Sequence, residues 1–157
     1  MLFRSETKRL EIARLKRELT DDVLARASAK NGRLIFERTC AACHTLYDQG
    51  GKIGPDLTGS NRANLDYILS EVINPSEVIQ VGYELVTVTT RDGRTLAGNV
   101  ALETDQQLTL RLIGQETVVP KSEILSREKS PVSMMPEGLL KTLTPDETRD
   151  LIAYLRT

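Results

Sequence analysis

Both cysteines of the chain and its only histidine fall within five residues, Cys40-Ala41-Ala42-Cys43-His44. Thiol sulfur and imidazole nitrogen serve redox exchange, metal ligation or covalent attachment, and four chemistries compete for this set. A thioredoxin-like dithiol requires C-x-x-C at a strand-to-helix turn in a βαβ unit, whereas the residues before Cys40 read as a helix. A structural zinc site needs four ligands, and the sequence holds no further Cys or His to complete one. A disulfide across so short a span is strained, closes almost no loop and therefore stabilises little. Covalent haem attachment uses every member: the two thiols add to the haem vinyl groups and the adjacent imidazole becomes the proximal iron ligand.

A ligating histidine needs a partner on its second ring nitrogen, to fix the tautomer and raise basicity. Gly54-Pro55-Asp56-Leu57-Thr58-Gly59 offers the Pro55 carbonyl in a stiff loop a dozen residues on, although Gly-Pro alone also reads as a plain turn. With one histidine, two imidazoles from this chain cannot ligate one iron. Ser130-Pro131-Val132-Ser133-Met134-Met135-Pro136-Glu137-Gly138 carries two thioethers in a polar, proline-bracketed loop, where methionine is not ordinary core filling. Soft sulfur favours reduced iron and a raised potential. Met134, Met135 and an open sixth position all remain at this point.

Several elements must position these groups. Gly32, Phe36 and Cys40 recur every four residues, which puts them on one helical face leading into the pentapeptide. At the other end Thr144 reads as an N-cap, with Pro145 at the first helical position and Glu147 completing a capping box before Leu151-Ile152-Ala153-Tyr154-Leu155. Residues 64–73 carry a helical apolar stripe that ends at Asn74-Pro75. From about 83 to 127 the period changes to local alternation rich in Val, Thr and Leu, with turns at Asp92-Gly93 and Gly114, which predicts four or five short antiparallel strands. Residues 5–24 give one more stripe, Ile12, Leu15, Leu19 and Val23, on an otherwise charged amphipathic helix. Such a helix lies on its own domain, or else mediates a homodimer or an interdomain contact.

These motifs together resemble class I cytochrome c. In that family a small Gly and an aromatic stand at the offsets of Gly32 and Phe36, where the first helix crosses the last, and Tyr154 corresponds to the aromatic they pack against. The resemblance implies one covalent haem c held by Cys40, Cys43 and His44, a Pro55 carbonyl partner, and Met135 as second axial ligand, since bacterial members often place Pro directly after the ligand Met; Met134 is the alternative. The implied fold is mainly α with an inserted small antiparallel β-sheet, the cytochrome domain spanning 25–157, interrupted at 83–127, after an N-terminal segment 1–24. Removing the insert restores the His-to-Met spacing of a small bacterial cytochrome.

Gly82-Tyr83, the Asp92–Gly98 run DGR-x-L-x-G and the Ser133–Leu140 run S-x-MPEGLL further resemble haem-binding domains at the C-terminus of large multidomain planctomycete-type proteins. That resemblance implies a domain of a longer exported, periplasmic protein. The expected function is one-electron transfer between redox partner proteins or neighbouring domains. A gas or redox sensor with a displaceable Met is the alternative, and a peroxidase-like enzyme lacks an identifiable distal acid–base residue. No nucleophile–base pair argues for an enzyme.

The formal net charge of −1 gives no electrostatic argument for nucleic acid. No apolar run is long enough to span a membrane. The N-terminus lacks the apolar core and cleavage site of a signal peptide. The chain of 157 residues is long enough to bury a core without disulfides.

Overall fold

The computed structural model describes residues 2–157, with side chains from residue 5 onward. Five helices and two sheets follow in the order α1 (Leu2–Glu18), α2 (Asp21–Ala25), α3 (Ala29–Thr39), β1 (Thr45–Leu46), β2 (Gln49–Gly50), α4 (Leu65–Ile73), β3 (Val86–Thr90), β4 (Thr95–Glu103), β5 (Gln107–Leu112), β6 (Gln115–Pro120), β7 (Ile124–Lys129) and α5 (Pro145–Leu155). Short 3-10 turns at Lys121–Glu123 and Leu139–Thr142 precede β7 and α5. Helix accounts for 37% of the chain and strand for 24%, so the sheet weighs more than a mainly α description implies.

The helical core gathers Leu15, Leu24, Ile35, Phe36, Leu46, Ile68, Leu69, Ile73, Leu151, Ile152 and Leu155. Its centre is the crossing of α3 and α5. Gly32 is the point of closest approach: a Cβ there would lie 2.7 Å from the Cβ of Tyr154. Phe36 and Tyr154 meet beside it as tilted rings with centroids 5.7 Å apart. The capping box predicted for α5 is present, with Thr144 accepting from the Glu147 amide and Glu147 returning a bond to the Thr144 amide. At α4 the cap is a single bond, the Asn64 side chain accepting from the Tyr67 amide.

The single helix expected over 5–24 is instead broken. Thr20 leaves helical geometry and its hydroxyl accepts from the Val23 amide, and Asp21 and Asp22 occupy the first turn of a new short helix, where the dipole favours acids. Leu15 and Leu19 are still buried in the chain's own core, and Lys16 pairs with Asp66 of α4 at 2.8 Å. Val23, turned by the break, leaves the stripe.

The second sheet has strand order β6-β5-β4-β3-β7, antiparallel throughout, so a four-strand meander is closed by a last strand that returns to β3. Its separate small core is Val86, Val88, Leu108, Leu110 and Val119. A register shift between Val100 and Leu102 bends β4. The final strand continues to Lys129, past the strand-rich stretch legible in the sequence.

Asp150 on α5 is 4% exposed and locks the start of α3: its carboxylate accepts from the Ser28 amide at 3.0 Å and from Asn31 Nδ2 at 2.9 Å, with Arg149 alongside. Burial opposes ionisation, but the Asn31, Ser28 and Arg149 donors outweigh it and hold the carboxyl below its usual range. A depressed pKa contributes stability that is present above the unfolded value and lost as pH falls through the folded one. Stability should therefore decline below about pH 4. Asp150→Asn should flatten that decline and cost about 1–3 kcal/mol at neutral pH, read from urea unfolding at several pH values.

Candidate functional site

The pentapeptide sits where α3 runs out. The Cys40 amide still bonds to the Phe36 carbonyl, and the Cys43 and His44 amides both return to the Cys40 carbonyl at 3.1 and 3.0 Å. This tight turn follows directly from the helix, so Phe36 in the core fixes where both sulfurs emerge. Both cysteines are unpaired thiols, partly exposed. Burial pushes the Cys40 thiol up to about 12, with neighbouring Cys43 adding to the rise, and burial also raises Cys43. Both are therefore neutral thiols, unlike the low-pKa cysteines of redox catalysts.

The loop after His44 folds flat against the pentapeptide. Gly51 and Gly54 amides bond to the Ala41 and Cys43 carbonyls at 2.8 and 2.7 Å, and Leu57 closes onto the Thr45 carbonyl at 2.8 Å. Gly50, at φ 123°, adopts backbone geometry that side chains oppose. At Gly54 the reason for glycine is the histidine itself: a Cβ would sit 2.7 Å from His44 Nδ1. The β1–β2 hairpin turns through Tyr47 and Asp48, both left-handed, and Tyr47 hydroxyl donates to the terminal Thr157 carbonyl at 2.7 Å. Arg62 lies 5.1 Å from the Tyr47 ring centroid and donates to the Leu155 carbonyl at 2.7 Å, so one side chain satisfies the end of α5 and braces this loop.

His44 Nδ1 lies 2.8 Å from the Pro55 carbonyl oxygen. A carbonyl only accepts, so Nδ1 carries the proton and Nε2 presents its lone pair. Burial lowers the imidazole pKa, with the Pro55 bond working the other way, so the ring is neutral near pH 7. A neutral imidazole of fixed tautomer is the form that ligates iron.

The Met134–Met135 loop approaches from elsewhere. The Ser133 amide bonds to Ser76 Oγ, beyond the end of α4, at 3.0 Å, and the Met135 amide to Ser133 Oγ at 3.1 Å. Both methionines are half-buried, so burial does not separate them. Lys8 of α1 bonds to Asn74 Oδ1 at 2.7 Å and pairs with Glu137, tying this loop's far end to α4. The structure thus brings Cys40, Cys43, His44 and Pro55 together, while the hydrogen bonds holding the Met loop run to the α4 side rather than to the pentapeptide.

Gly54, Arg62 and Asn99 are site residues that sequence reasoning missed. Asn99 Nδ2, on β4, donates to the Ile53 carbonyl at 2.7 Å, which joins the five-stranded sheet to the His44 loop. Gly54 had a signal, since a glycine before the partner proline invites the question of what it must clear. Arg62 and Asn99 had none.

Two adjacent neutral thiols, an imidazole with Nε2 available and a glycine-lined loop closing against its ring form a donor set that fits a covalently held haem. Among the described residues no helix is long and apolar enough to cross a membrane. A family model described as cytochrome c matches residues 29–157. No curated protein matches the chain.

Proposed function

The chain belongs to the cytochrome c family, whose members bind haem c covalently through its vinyl groups, and from that premise we propose that it is a monohaem electron carrier in which His44 and Met135 would ligate the iron. The observation that carries this reading is the His44–Pro55 bond, which leaves Nε2 as the one imidazole nitrogen able to ligate. When bound, haem supplies a one-electron couple at its iron.

The protein's residues do the rest. Cys40 and Cys43 would hold the group through thioether bonds formed when their thiols add across its vinyl groups. Pro55 keeps the imidazole oriented and electron-rich, and the soft Met135 sulfur, with Met134 the alternative, raises the potential. Phe36 and Leu69 lie in the buried helical core, and Cys40, Ala41 and Leu57 pack against that core, which gives the pentapeptide an apolar support. Cytochrome c domains usually act as electron carriers rather than enzymes, and the partners proposed are redox proteins or neighbouring domains of a longer parent. The domain proposed is 25–157, with the sheet as an insertion and 1–24 preceding it. Its likeness to planctomycete-type haem-binding modules supports an exported, periplasmic setting.

Attachment is tested by producing the protein in a host with a periplasmic haem-ligation system. Wild type should keep its haem absorption through denaturation and acid–organic extraction. Cys40→Ala/Cys43→Ala should lose all of it to the organic phase, and retention by the double variant would contradict the assignment.

A further inference from the structure

We infer that Asn99, on β4 of the inserted sheet, is a positioning residue for the His44 imidazole, acting through the Ile53–Gly54 peptide that its side chain clamps. The inference rests on His44 being the iron ligand.

Three consecutive residues carry three different contacts. The Ile53 carbonyl accepts from Asn99 Nδ2 at 2.7 Å, Gly54 lies against the His44 ring, and the Pro55 carbonyl accepts from His44 Nδ1 at 2.8 Å. The Ile53 carbonyl and the Gly54 amide belong to one planar peptide unit. That unit is held at both ends, by Asn99 on one side and by the Cys43 carbonyl, 2.7 Å from the Gly54 amide, on the other. Glycine would otherwise be the freest joint in the loop, and the clamp removes that freedom directly beside the ring. Arg111, the cross-strand partner of Asn99, adds a longer bond to the Lys52 carbonyl at 3.4 Å.

Asn99 is a poor choice for stability alone. It is 2% exposed in a central strand, where Asn is disfavoured, and its Oδ1 has no hydrogen-bond partner among the described residues. An apolar residue would fill the position without leaving a buried acceptor unsatisfied. What the amide provides, and an apolar side chain cannot, is the donor to Ile53. The sheet thereby acquires a role: its rigidity is transmitted to the carbonyl that sets how strongly Nδ1–H is held. A tighter Nδ1–H bond makes the imidazole more basic and favours oxidised iron.

The test uses the haem-loaded protein. Asn99→Leu keeps the branching at Cγ and removes the donor. Its ferrous form should be favoured about threefold to tenfold over wild type at a fixed potential, an upward shift of roughly 30–60 mV. The Gly54 amide should also exchange faster with solvent. Leu110→Ala, in the same sheet core, should lower the denaturation midpoint and leave the potential alone. An unchanged potential in Asn99→Leu, or an equal shift in Leu110→Ala, would overturn the inference. If Asn99→Leu does not fold, wild-type native-state exchange decides: the Asn99 side-chain amide and the Gly54 amide should open together as denaturant is added, and independent opening would refute the clamp. Failure of the underlying ligand assignment shows separately, as a His44→Gln variant with the wild-type spectrum.

Discussion

Gly32→Ala is expected to destabilise the folded protein by about 2–4 kcal/mol, and Gly32→Val by more, although either change improves the intrinsic preference of α3 for helix. The gain from replacing a mid-helix glycine by alanine is at most about 1 kcal/mol. Against it stands a Cβ that would lie 2.6 Å from the Asp150 carbonyl carbon and 2.7 Å from the Tyr154 Cβ. These are backbone and near-backbone atoms of α5, and no rotamer change relieves the overlap. Relief requires the helices to part, which stretches the Asp150 bonds to Ser28 and Asn31 and separates the Phe36 and Tyr154 rings. Because α3 delivers Cys40 directly from its last turn, the same movement displaces the pentapeptide. A loss of this size is a large part of a domain's whole stability of roughly 5–15 kcal/mol. Urea unfolding followed by circular dichroism measures it, and a Gly32→Ala protein as stable as wild type would show that the crossing is looser than its geometry.

Met135→Ala is expected to open one side of the iron, so that the reduced variant binds carbon monoxide and the oxidised variant loses Met–iron charge-transfer absorption. The potential should fall, because a soft donor favouring reduced iron is gone. Met134→Ala should leave all three properties as they were. The neighbours are chemically equal and both half-buried, so the distinction rests on backbone restraint. Pro136 confines Met135 to extended geometry, and the Met135 amide is fixed to Ser133, itself fixed to Ser76. The reverse pattern in the two variants would transfer the ligand role to Met134.

Much of this was legible in the sequence where the controlling interactions are local or the pattern is dense. The α5 capping box, the Asn64-headed helix and the Pro55 partner of His44 each depend on a few residues whose types are restricted by backbone chemistry. The strand-rich block announced itself through alternation and the Asp92-Gly93 turn. Less readable was what joins distant segments. Asn99 meets Ile53, and Arg62 meets the end of α5, across long sequence separations that no period encodes. Nothing local to Asp150 marks it as buried; its partners Ser28 and Asn31 lie more than a hundred residues away. The break at Thr20 was readable in principle from Thr-Asp-Asp, but the apolar stripe continued through it and concealed the cap. The expected strand block, 83–127, lies close to the observed Val86–Lys129, so what the mainly α description underweighted was how much of the fold that block makes up.

The electron-carrier reading stands on iron held from both sides by this chain, and one measurement addresses it. Absorption spectra of the wild-type protein would be recorded oxidised and reduced, with and without carbon monoxide. The expected result is Met–iron charge-transfer absorption in the oxidised form and a reduced spectrum that carbon monoxide leaves unchanged. Ready carbon monoxide binding by wild type would contradict six-coordinate iron and turn the protein into a ligand-binding haem module.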